Sequence, residues 1–132
     1  MTGRRVLCLL GVIGAAGVVA ACGSQGVSVP PGDSVHNGAV IFAQHCSGCH
    51  TLSYTGSRGS ATKVRDRERV DGPNFDQRKE QPDQVLYAIR NGGFSGAIMP
   101  ENIVVGKEAL EVAQFLAKFS GQKAPKSVTP NG

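Results

Sequence analysis

Apolar positions recur at helical spacing in three stretches of the chain. The first runs from about Ser34 to His45, with Asp33 or Ser34 as N-cap and Val35, Ala39, Phe42 and Ala43 on one face. The second starts at Pro82, a favoured first-turn residue, carries Val85, Leu86 and Ile89, and stops at Asn91-Gly92-Gly93. The third spans about Lys107 to Phe119, with Ala109, Val112, Ala113, Leu116 and Phe119 along one stripe. Glu108 and Glu111 near its start and Lys118 near its end suit the helix dipole, and Gly121 closes it. No stretch alternates well enough to argue for a sheet, and no internal repeat is visible. The pattern predicts an all-α domain over residues 34–119, a core that is marginal without a staple, a metal or a large cofactor.

A fourth apolar run has a different character. Val6 to Ala20 is uncharged behind Arg4 and Arg5, and is shorter than the roughly 20 residues a helix needs to span a bilayer. It reads as an export signal. It ends in Val19-Ala20-Ala21-Cys22, which resembles a bacterial lipobox, in which the Cys22 sulfur receives diacylglycerol before cleavage. Ordinary secretion and an uncleaved anchor are the alternatives, and all three place the rest of the chain outside the cytoplasm. Cys8, inside the run, reads as a small hydrophobe. The expected organisation is a lipoprotein signal peptide over 1–21, a flexible tether over 22–33, the folded domain over 34–119 and a disordered tail over 120–132.

Charge and composition narrow the classes. The net charge of +4 owes two units to Arg4 and Arg5, so the processed chain carries only +2. Phosphate-backbone binding depends on many uncompensated Lys and Arg, so nucleic acid is excluded as a partner. With 40% apolar and 18% charged residues, 18 Gly and 7 Pro, the chain is neither a coiled coil, nor collagen-like, nor largely disordered.

The chemistry is carried by the cysteines. Of the four, two lie in the signal region and the others form Cys46-Ser47-Gly48-Cys49 with His50 directly after. Cys-x-x-Cys-His is the attachment signature of c-type haem: two thiols three residues apart meet the two vinyl groups of one porphyrin, and the adjacent imidazole is forced against the iron. A structural zinc site wants four ligands, usually two such pairs. A thioredoxin-like pair would open a helix after a strand, whereas this one follows a helix. A plain disulfide is the third alternative. Export supports haem, because bacteria attach haem c outside the cytoplasm. On the other side of the iron the candidate is Met99, the one methionine besides the initiator, in the irregular Gly96-Ala97-Ile98-Met99-Pro100. A lone methionine is ordinarily core filler, and rival distal ligands are His36, His45, Lys63, Lys79 and Lys107.

Residues 34–119 resemble a class I c-type cytochrome of the small bacterial monohaem kind. Gly38 and Phe42 resemble the family's Gly and aromatic pair at the crossing with the last helix, where Val112 and Phe115 would be their partners. Cys46, Cys49 and His50 match the haem motif, Gly72-Pro73-Asn74-Phe75 the Gly-Pro loop, and Met99-Pro100 the distal segment. The resemblance implies three main helices and loops wrapped around one covalent haem c, with His50 and Met99 on the iron and the Pro73 carbonyl accepting the imidazole N–H. It also implies a single-electron carrier, not an enzyme, monomeric when isolated. The expected place is the outer face of the cytoplasmic membrane, lipid-anchored, between membrane redox complexes or other electron-transfer proteins. An electron-entry subunit of a larger oxidase, reductase or dehydrogenase, and a haem-based ligand sensor, are the alternatives. Two departures stand out. The Thr51–Asp71 loop is long and carries a mixed-charge run over 63–69, readable as a solvated face or a docking surface. The family's Trp near the propionates is missing, and Tyr54, Arg58, Arg69, Tyr87 and Arg90 are the candidate substitutes.

Overall fold

Three helices form where the apolar spacing places them. A computed structural model describes residues 26–94 and 96–126. Helix α1 covers His36–His45, α2 Pro82–Asn91 and α3 Gly106–Phe119. The start of α1 is two residues later than expected, because Asp33 caps from outside: its Oδ1 accepts the Val35 N–H at 3.1 Å. α2 begins on Pro82 behind a Gln81–Gln84 capping box and ends at Gly92, whose φ of 67° favours a residue without a side chain. The only sheet among the described residues is a hairpin of two two-residue strands, β1 (Thr51–Leu52) and β2 (Ser57–Arg58), too short to leave a sequence pattern.

α3 packs against both α1 and α2. At the α1–α3 crossing a Cβ on Gly38 would overlap the Glu111 carbonyl oxygen and lie 2.9 Å from Phe115 Cβ, so only glycine permits this approach. One turn on, the Phe42 ring meets Phe115 and Phe75 edge-on, each with centroids 5.9 Å apart. Phe42, Phe115, Leu52 and Val112 are almost wholly buried there.

Both flanks depart from expectation. The part of the proposed flexible tether that is described, 26–33, is a packed strap. Val29 is 2% exposed within the core, the Ser28 N–H donates to Tyr54 O at 2.7 Å, and His36 Nδ1–H donates to Val29 O at 2.7 Å. Asp33 adds an ion pair with Lys118 at 2.7 Å. Nor does a disordered tail begin at residue 120. Ser120 is 2% exposed and its Oγ accepts the Glu80 N–H, Gly121 N–H donates to Phe75 O, and Ala124 N–H donates to Ser53 Oγ. Gly, Pro and Ser content marks these segments as irregular backbone, but tertiary partners satisfy that backbone. The signal segment 1–21, Cys22 and residues 127–132 lie outside the described residues. No described helix is long and apolar enough to cross a membrane.

Gly38→Ala tests the crossing. Overpacking costs about 1–3 kcal/mol, which outweighs the helix-propensity gain of about 1 kcal/mol. Denaturant unfolding is expected to show that loss, and no measurable change for Gly32→Ala, where a Cβ meets nothing within 4 Å.

Candidate haem site

The three helices do not close on one another. Between them lies a cavity of about 470 Å³, walled by Phe42 and Cys46 at the end of α1, by Val85 and Ile89 of α2 and by Val112 and Leu116 of α3. Cys49, His50, Pro73 and Met99 line the same cavity, so the structure brings together all five residues expected to bind the cofactor.

Local backbone places the motif. The N–H groups of Cys49 and His50 donate to Cys46 O, a turn that follows directly on α1, where Cys46 N–H donates to Phe42 O. Both cysteines are unpaired thiols, Cys46 half-buried and Cys49 exposed. Burial, aided by the neighbouring Cys49, pushes the Cys46 thiol up to about 12, opposite to the lowered values of Cys-x-x-Cys redox pairs. Among the described residues no group of three or more His, Cys, Asp or Glu is placed to hold a metal ion.

His50 is held on several sides. Its Nδ1 lies 3.1 Å from Pro73 O; a carbonyl can only accept, so Nδ1 carries the proton and Nε2 keeps a free lone pair. The Phe75 ring stacks on the imidazole at 4.7 Å and 10°. A Cβ on Gly72 would run into the imidazole ring, so the glycine is required by close approach. The 72–75 loop is itself pinned, with Gly72 N–H on Cys49 O and Phe75 N–H on Thr51 O. Burial holds the imidazole pKa below its usual value, against the opposing effect of the Pro73 carbonyl. The ring is therefore neutral near physiological pH, the form a ligand needs.

Met99 is partly buried against the core, on a segment tied to the end of α2 by Asn102 N–H donating to Ile89 O at 2.7 Å. Of the rival distal ligands only His45 lines the cavity. His36 is bonded to the strap, Lys79 Nζ to the carbonyls of Ala117 and Lys118, and Lys107 pairs with Glu111 at 3.4 Å.

The residues fit a haem: thiols at the correct spacing, one imidazole nitrogen free, a thioether, and an apolar wall cradled closely enough that Gly72 tolerates no side chain. Part of the rim escaped sequence reasoning. Arg67 and Glu68 of the mixed-charge run, together with Arg78 and Glu80, line the cavity. Of the proposed Trp substitutes only Arg69 does so, for Tyr54 packs on Phe119 and Tyr87 stacks on Phe94. No periodicity marks such residues, because they converge only through the fold of the 51–81 segment.

Residues 33–116 match the sequence family described as cytochrome c oxidase, cbb3-type, subunit III. The chain belongs to that family. It is a small class I c-type cytochrome, a family that implies covalently bound haem c and an electron carrier rather than a catalyst. Among solved structures, the c-type cytochrome SorU from Sinorhizobium meliloti is 26% identical over 69% of this chain and 95% of that one, with a TM-score of 0.48. No curated protein matches the sequence.

Gly72→Ala is expected to displace the His50 ring, costing about 1–3 kcal/mol in unfolding free energy. Proton NMR checks the cause: the Nδ1–H signal, sheltered by Pro73 in the native cytochrome, should broaden or vanish in the variant.

Proposed function

We propose that this cytochrome carries one haem c, joined through Cys46 and Cys49 and held between His50 and Met99, and passes single electrons between respiratory partners at the outer face of the cytoplasmic membrane. The observation that carries the reading is the committed tautomer of His50: Nδ1–H engaged by Pro73 and Nε2 left free, in a cavity that Met99 also lines. Haem c supplies a one-electron iron couple.

The chain's residues do the rest. Pro73 and the Phe75 ring fix the imidazole plane and raise its basicity. Met99 supplies a soft thioether, which favours the ferrous state and raises the potential. With both His50 and Met99 bound, a haem here would have no open position for oxygen, which argues against a ligand sensor. Phe42, Val85, Ile89, Val112 and Leu116 exclude water from the wall and further disfavour the extra charge of the oxidised state.

The location rests on the lipobox-like Val19-Ala20-Ala21-Cys22, with diacylglycerol on Cys22 as anchor. Two acyl chains hold a protein stably at a membrane. The strap shortens the reach expected of a 22–33 tether, since Val27 and Val29 pack on the domain. A second reading, an electron-entry subunit of a larger complex, is favoured by the oxidase subunit named in the family description. Copurification with catalytic subunits in fixed stoichiometry would select it over a free shuttle.

Three sets of variants test the proposal. A pyridine haemochrome of the c type with one haem per chain is expected, lost as covalent mass in the Cys46→Ser/Cys49→Ser double variant. Met99→Ala should abolish the weak red absorption band of sulfur on ferric iron. It should also lower the midpoint potential by on the order of 0.1 V, a fraction of the roughly 0.8 V that axial ligands command. Cys22→Ser should move the protein from the membrane to the soluble fraction.

A further inference from the structure

One buried ionisable group has no part in the ligation. Glu80 is 4% exposed, lines the cavity, and leaves its Oε1 without a hydrogen-bond partner. Arg78 Nε stands 2.7 Å from that oxygen, close enough to attract it but not aligned to donate to it. The backbone offers no freedom to escape: Glu80 N–H is bonded to the buried Ser120 Oγ at 2.8 Å, immediately before α2 begins at Pro82. A carboxyl thus fixed at the wall of a redox cofactor's cavity experiences every change in the cofactor's charge.

We propose that Glu80 is a proton-binding site coupled to the haem's electron, so that reduction draws a proton onto its carboxyl and oxidation releases it. The inference rests on haem occupying this cavity. The balance is simple. A one-electron reductant takes the iron from ferric to ferrous, a solvent proton forms the O–H bond of the Glu80 carboxylic acid, and no other bond is made or broken. Added negative charge in a poorly screened site favours the neutral carboxylic acid, so the proton is bound more tightly in the reduced protein.

The surrounding charges tune this exchange. Burial holds the Glu80 carboxyl above the ordinary carboxylate range and Arg78 opposes it. Across the cavity Arg67 and Arg69 favour ionisation, Glu68 and Asp71 oppose it, and His45 stands at the end of α1. From the other elements, Lys79 is bound to the carbonyls ending α3, Lys118 to Asp33, and Asp83 lies exposed in the first turn of α2.

The test is potentiometric titration of the haem-loaded, full-length protein across pH, for wild type, Glu80→Gln and Arg78→Gln. The wild-type potential should fall as pH rises within a window, with a slope of at most about 59 mV per pH unit, the one-electron value for a tenfold change. Glu80→Gln should lose that component and retain only what the haem's own carboxyls contribute. Arg78→Gln should move the window to higher pH, because the cation that favours the ionised form is gone. In weakly buffered solution with an indicator dye, photoreduction should consume more protons per electron in wild type than in Glu80→Gln. If Glu80→Gln does not load haem, the Arg78→Gln shift decides. A slope unchanged in Glu80→Gln, or a window unmoved in Arg78→Gln, with haem attached overturns this inference alone. Absence of covalent haem overturns the reading of the site and this inference with it.

Discussion

A single imidazole ring that must be neutral, oriented and desolvated sets most of this architecture. His50 satisfies all three conditions through the Pro73 carbonyl, the Phe75 face and the bare backbone of Gly72. Each of these comes from a loop that would otherwise wander. That loop is anchored to the haem-attachment turn by the hydrogen bonds of Gly72 and Phe75, and to the residue after α3 by Gly121 N–H on Phe75 O. Ligand geometry and chain packing are therefore one constraint. Phe75 illustrates it, with one face on His50 and the Phe42 ring set against it edge-on.

The domain surrounds an interior cavity with its three helices. The α1–α3 crossing is a close approach at Gly38, and the chain draws in both flanks. Val29 enters the core from the N-terminal side, Ser120 from the C-terminal side, and the Asp33–Lys118 pair ties the strap to α3. On the C-terminal flank Ser53 Oγ donates to Asp76 and accepts from Ala124 N–H.

Polarity is distributed unevenly around the cavity. Helix faces supply apolar side chains, while the 67–71 segment and residues 78–80 supply Arg, Asp and Glu. An uncharged wall favours the reduced cofactor, and a charged rim adjusts how strongly. Glu80 sits at the junction of the two, buried like a core residue yet ionisable.

The primary structure alone determined what depends on short range: a haem motif contained in five consecutive residues, helices marked by spacing and end signals, and Met99 standing out as the one methionine besides the initiator. The Gly38–Phe42 and Gly72–Pro73 pairs were legible through their resemblance to the family's motifs, and the structure shows the close approach that demands each glycine. Only tertiary structure decided that Val29 and Ser120 belong to the core, that Phe75 stacks on His50, and that Arg67, Arg78 and Glu80 line the cavity with Arg69. Those roles arise between residues far apart along the chain, such as Glu80 and Ser120 or Ser28 and Tyr54, where no local pattern can register them. A composition rich in Gly, Pro and Ser specifies irregular backbone, and whether that backbone finds its partners in water or in protein is settled by the fold.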